Sequence, residues 1–114
     1  MPQQIEEHPD YVVVHLQGEI DMNTSPGARQ QILKALQRRR DLLVDLSDVS
    51  YIDSSGVANL VEGYQLARQH SVHFGLVGVS QAAENVLRLA RLDQVFPMHA
   101  SVNDWANGAH PPGA

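Results

Sequence analysis

The strongest restriction on how this chain can fold is an alternation of two hydrophobic periods. Short β-branched runs take turns with longer stretches in which apolar residues recur every three or four positions. "YVVVHL" (11–16) reads as a strand. "HPD" before it reads as a turn, so Gln4–Glu7 is expected to form a short hairpin partner. Gly18 interrupts the pattern, and Ile20 is expected to resume it beyond a bulge. A first helix follows, with Thr24 or Ser25 as cap, Pro26 in its first turn and Ala28, Ile32, Ala35 and Leu36 on one face. Arg38, Arg39 and Arg40 end it where cations suit the helix dipole. "LLVDL" (42–46) has the continuous apolar character of a buried parallel strand. "SDVSYIDSSG" is expected to be a loop, its Asp and Ser residues acting as turn formers.

The second helix is expected from Gly56 to Gln69, with Val57, Leu60, Val61, Tyr64 and Ala67 inward. "VHFGLVGV" (72–79) is the next strand. Ser80 caps a third helix that turns Ala83, Val86, Leu87 and Ala90 inward. "VFPM" (95–98) suits a short edge strand, because Pro97 has no N–H for a ladder. Ser101 and Asp104 have the spacing of a cap for a last short helix, and "GAHPPGA" reads as a flexible tail over 108–114. Strands alternating with helices imply an α/β fold with a largely parallel sheet and right-handed crossovers. The loops after the strand C-termini are the usual functional edge of such a sheet. "GEIDMNTSP" and "DSSG" both fall there.

With 114 residues, 43% of them hydrophobic, the chain supplies one core and one domain. Eight basic against thirteen acidic residues give a net charge of −5, which disfavours nucleic acid and anionic membrane surfaces as partners. There is no cysteine, so neither disulfides nor thiolate chemistry is available. The acidic, polar start does not read as a signal peptide, and no apolar run is of membrane-spanning length. A cytoplasmic protein without membrane insertion is expected. Neither G-x-S-x-G, nor a Walker lysine motif, nor G-x-G-x-x-G is present. His70 and His73 do not share a helix face, and Asp45, Asp48 and Asp53 read as turn formers before they read as magnesium ligands. A binding module, not an enzyme, with no cofactor and no metal, is therefore expected.

Asp53, Ser54 and Ser55 stand in a row before Gly56. One of them serves as the helix N-cap. Gly56 allows a tight turn or the close approach of another surface. The surplus hydroxyl is a candidate phosphate acceptor. From Asp41 to Ala67 there is no Lys, Arg or His, while Asp41, Asp45, Asp48, Asp53 and Glu62 crowd the same stretch. A phosphoserine that orders its own protein pairs with an arginine. One placed among acids acts outward instead, by spoiling a close-fitting interface.

"GEIDMNTSP", "LLVDLSDVSYIDSSGVANLVEG" and "VHFGLVGVSQAAENVLRLARLDQVFPM" together resemble the STAS domain family of anti-sigma factor antagonists, over about residues 5 to 105. The resemblance implies a single STAS-like domain, placed at 1–107, with a mixed, mostly parallel sheet of four to five strands and helices mainly on one face. It implies partner switching. The unphosphorylated antagonist binds a serine-kinase anti-sigma factor and frees the sigma factor; the kinase then phosphorylates the antagonist, which lets go; a PP2C-like phosphatase resets it. On this resemblance Ser55 is the acceptor, and Asp21, Asn23, Thr24, Asp53, Ser54, Gly56 and Val57 make up the partner-binding surface. In the Ala58-Asn59 pair, the polar Asn59 departs from the small or aliphatic continuation common in the family and is expected beside the interface. Monomer or dimer stays open. The alternative is a non-catalytic STAS regulatory subunit bound to the ATPase of an ABC transporter; the retained "SSG" speaks against it.

Overall fold

The structure, a computed structural model, describes residues 4–109. Five strands form one sheet in the order β1-β2-β3-β4-β5. They are β1 (Ile5–Glu7), β2 (Tyr11–Ile20), β3 (Asp41–Ile52), β4 (Phe74–Val77) and β5 (Met98–His99). β1 runs antiparallel to β2, and every other pair is parallel. The crossovers are α1 (Ser25–Leu36), α2 (Ser54–Gln69) and α3 (Gln81–Leu89). Because the strands stand in chain order, right-handed crossovers put all three helices on one face of the sheet. A short α4 (Val102–Asp104) and the wide turn Trp105–Ala109 follow β5. Of the expected tail, residues 108 and 109 close this turn and the rest lie outside the described residues.

Two apolar clusters hold the layers together. Val12, Val14 and Leu16 of β2, Leu42, Val44 and Leu46 of β3, and Phe74 and Leu76 of β4 pack against Ile32, Leu36, Leu60 and Leu87 of the helices. On the other face Val13, Leu43 and Val77 are covered by Trp105, with Tyr11 and Val102 at the margin. The central strands are thus buried on both sides, which is why their sequences read as continuous apolar runs.

β3 departs most from expectation. It does not end at 46 but continues through "SDVSYI" to Ile52. Local turn propensity loses here to a ladder with the long second strand. Gln17 pairs with Asp48, Gly18 with Val49, Glu19 with Tyr51 and Ile20 with Ile52. Register shifts after His15 and after Gly18 let β3 carry its extra residues, and Gly18, at φ 74°, supplies the left-handed backbone at the second of them. Val49 and Ile52 then reach the core. Asp45 lies within the strand, as the reading of 42–46 placed it, opposite His15.

α1 buries Ser25, Ala28, Ile32, Ala35 and Leu36, the expected face plus its first serine. Neither Thr24 nor Ser25 provides a side-chain cap; the Thr24 hydroxyl is used within the preceding loop, where it donates to the Glu19 carbonyl at 2.8 Å. α2 buries Gly56, Asn59, Leu60, Gly63 and Ala67, while Val57, Val61 and Tyr64 are only partly covered. This helix packs closely on α1 and on the sheet, so small residues occupy its closest approaches. A Cβ on Gly63 would lie 2.8 Å from Ile32 Cγ2 and 2.9 Å from Phe74 Cε2. Ala83 and Leu87 of α3 are buried as expected, Val86 is half-buried, and Ala90 caps the helix in solvent. The last strand is Met98–His99, not 95–98: Phe96 enters the core and Pro97 accepts from the Leu76 N–H through its carbonyl at 2.9 Å.

Candidate functional site

β2 and β3 end side by side, at the Ile20–Ile52 pair, and the Asp53 N–H still donates to the Ile20 carbonyl at 3.1 Å. The loops that leave these strand ends, 21–24 and 53, are therefore neighbours, and each begins with an aspartate. This brings together residues far apart in the chain, at the edge where strands feed helices.

Each aspartate organises its own loop. Asp21 Oδ1 accepts from the N–H groups of Asn23 (2.9 Å) and Thr24 (3.1 Å), and the Asp21 carbonyl accepts from the Ser25 N–H at 2.7 Å. Asp53 is the N-cap of α2. Its backbone is extended, and its Oδ1 accepts from the Ser55 N–H at 2.9 Å and, at 3.4 Å, from Gly56 N–H. Of the three candidates for the cap, the aspartate holds the position because its carboxylate meets helix N–H groups at the positive end of the helix dipole. The Ser55 hydroxyl donates to the same carboxylate oxygen. That hydroxyl, with the N–H groups of Ser55 and Gly56, holds the Asp53 carboxyl below the usual carboxylate range, against a smaller opposing effect of burial.

Ser54 is exposed and Ser55 half-buried. Asn23 and Thr24 are exposed, and Asp21 is half-buried beside them. Gly56 does not belong to the outer surface. It is buried, and a Cβ there would lie 2.7 Å from both Ile20 Cγ2 and Ile52 Cγ1. The close-approaching surface that this glycine admits is the protein's own core at the two strand ends. Val57 is half-buried and packs against the same core.

Asn59 is another correction. It is buried away from the outer surface, and its Nδ2 donates to the Ser25 carbonyl at 2.8 Å. It ties the start of α1 to the first turns of α2, and so fixes the spacing of the two loops. Arg29 of α1 makes a two-point ion pair with Glu62 of α2 at 2.7 and 2.8 Å. Glu62 lies seven residues beyond Ser55, or ~10 Å along the helix. Asp53 is the side-chain partner of the Ser55 hydroxyl.

Two apolar residues of this edge went unremarked in the sequence. Met22 is 78% exposed between the two loop anchors, and Tyr51 is 49% exposed at the end of β3. The signal for Tyr51 was its place directly before the inward Ile52 on an extended strand, where neighbours point to opposite faces. Met22 stands alone among polar loop residues. Among the described residues no group of three His, Asp or Glu converges as a metal site, and no helix is long and apolar enough to cross a membrane.

The STAS domain family model matches residues 3–105. An anti-sigma F factor antagonist of Paenibacillus polymyxa is 28% identical over 98 residues, covering 84% of each chain. An anti-sigma-B factor antagonist of Bacillus subtilis (strain 168) is 26% identical over 85 residues, 75% of each chain. The crystal structure of an anti-sigma factor antagonist from Mycobacterium paratuberculosis superposes with a TM-score of 0.84 at 30% identity, covering 94% of this chain and 92% of that one.

Proposed function

The chain belongs to the STAS domain family, and we propose that it is a partner-switching antagonist: it binds a serine-kinase anti-sigma factor while Ser55 is free and releases it once Ser55 is phosphorylated. The observation that carries the reading is the Ser55 hydroxyl, half-buried at the rim of α2 and held by Asp53. The contact surface is the outer part of the paired loops: Asp21, Asn23, Thr24, Asp53 and Ser54, with Met22 and Tyr51 as apolar anchors. Gly56 and Val57 act from beneath, by seating α2 close on the strand ends.

Phosphorylation would cost the Asp53 carboxylate its hydroxyl donor and set about 1.5 to 2 negative charges beside it. Arg29 of the neighbouring helix is held by Glu62. The added charge is therefore left to be met by the partner, and a surface packed against it loses affinity. A loss of ~1.4 kcal/mol is tenfold, and leaving a dianion unpaired in a dry interface costs several times that. A PP2C-like phosphatase would restore the free hydroxyl. The relatives described above carry antagonist names, so the transporter-subunit alternative gains nothing from them.

The test is incubation with ATP and a candidate serine-kinase anti-sigma factor, followed by intact mass and titration calorimetry. One added phosphate is expected, absent in Ser55→Ala, and Ser55→Asp should bind the kinase at least about tenfold more weakly. Phosphate on another residue, or undiminished binding by Ser55→Asp, would reject the switch.

A further inference from the structure

The sheet face opposite α1–α3 carries a ladder of charged groups that the docking edge does not use. Ile5 of β1 points into the helix-side core, and Val13 of β2 into the opposite cluster. Side chains alternate along a strand, so Glu6 and His15 fall on the same face as Val13, and Asp45 stands opposite His15 on β3. His15 Nδ1 lies 2.7 Å from Asp45 Oδ2, and its Nε2 lies 2.9 Å from Glu6 Oε1. The other Glu6 oxygen meets His8 Nε2, and His8 stacks on Tyr11. One imidazole thus joins three strands.

The chemistry of the two ring contacts decides its charge. An ionised carboxylate accepts and cannot donate; a neutral imidazole has one N–H and one bare nitrogen. Both contacts are hydrogen bonds only when both ring nitrogens carry protons. We propose that His15 is a proton-operated clasp that pins β1 to the sheet, closed while its ring holds two protons and opened by the loss of one.

The neighbouring charges leave the clasp to these groups. Asp45 Oδ1 accepts from the Ser47 N–H at 2.9 Å. Arg38 and Arg40 are drawn to Glu7, at 3.1 and 3.2 Å, and not to Glu6. His99 lies over Gly75 toward the far side of the sheet, and Asp104 at the end of α4 is exposed. Burial pulls the His15 ring toward neutrality, but its bonds to Glu6 and Asp45 outweigh that and raise its pKa above 6.5. His15 lowers Glu6 in return, chiefly through their hydrogen bond. Asp45 is pushed up by burial, yet the Ser47 bonds and His15 bring it below 3.8. A histidine with a raised pKa stabilises fully below its ordinary value and loses that contribution as pH rises through the raised one. Opening bears on the docking loops, because Gln4, next to β1, and Thr24 line one cleft of about 280 Å³.

The experiment is an NMR titration of the His15 ring with amide hydrogen exchange, from about pH 5 to about pH 9. The reporters are two amides that flank the β1–β2 ladder: His15 N–H to the Gln4 carbonyl (2.7 Å) and His8 N–H to the Tyr11 carbonyl (2.9 Å). After correction for intrinsic rates, their protection should fall as the ring deprotonates, by up to tenfold for each unit that its pKa is raised. Glu6→Gln should return the His15 pKa toward 6.5, and His15→Gln should make the protection independent of pH. A ring that titrates at or below its ordinary value, or β1 protection that ignores the titration, overturns the clasp. Should either variant not fold, the wild-type titration decides alone. None of these readings involves Ser55 or a kinase.

Discussion

At the scale of single residues, Asp53 does two things with one oxygen. It caps α2 through backbone N–H groups and holds the Ser55 hydroxyl. Asp53→Ala should therefore lower the urea midpoint of unfolding and also slow phosphorylation of Ser55, whereas Asp53→Asn should keep part of the cap. With its pKa lowered, the cap is complete above the ordinary 3.8 and fades as pH falls through the folded value. Gly56 tests a different cause. A methyl group there meets Ile20 and Ile52 at 2.7 Å, so Gly56→Ala should destabilise the fold by ~1–3 kcal/mol in chemical denaturation. The candidate site, "DSSG" with "GEID" upstream, was legible because it is a local motif at a strand-to-helix junction. The burial of Gly56 and Asn59 was not, since each depends on a neighbour from a distant part of the chain.

Between elements, the contacts that matter join helices to each other and to both faces of the sheet. Asn59→Ala removes the donor to the Ser25 carbonyl and leaves a buried acceptor without it, a loss of ~1–3 kcal/mol. The same change should weaken partner binding without preventing Ser55 phosphorylation, because it loosens the spacing of the loops and leaves Asp53 in place. Trp105 is only 6% exposed over Val13, Leu43 and Val77, so Trp105→Ala should cost ~3–5 kcal/mol. Leu89, at 87% exposed on α3, is the contrast: Leu89→Ser should stay within about 0.5 kcal/mol of the parent in the same denaturation series. Helix faces were readable from their period. The length of β3 was not, because its polar second half is held by pairing with β2 and by two register shifts, which no local propensity reports.

For the molecule as a whole, pH should act at two limits. Glu6 and Asp45 have lowered pKa values, so their contributions hold above 4.5 and 3.8 and are lost as pH falls through the folded values. His15 acts in the opposite sense, its contribution fading as pH rises through a value above 6.5. The urea midpoint should therefore pass through a maximum between these limits, and His15→Gln should remove the decline on the alkaline side. A midpoint that rises steadily through that side in the wild type would contradict the assignment of charge to the ladder. The acidic balance of the chain, at −5, tells nothing of this ladder, in which opposite charges sit together.

The order of strands and helices along the chain, the parallel sheet and the strand-to-helix junction that carries Ser55 were written in the sequence. Each is set by periodicity within one segment or by the handedness of a crossover, and these are local or chiral properties of the chain. The reach of β3, the inward turn of Gly56 and Asn59, and the union of Glu6, His15 and Asp45 were decided only by tertiary structure. They depend on which residues of different strands and helices come to lie within a few ångströms, and one-dimensional spacing carries no record of that.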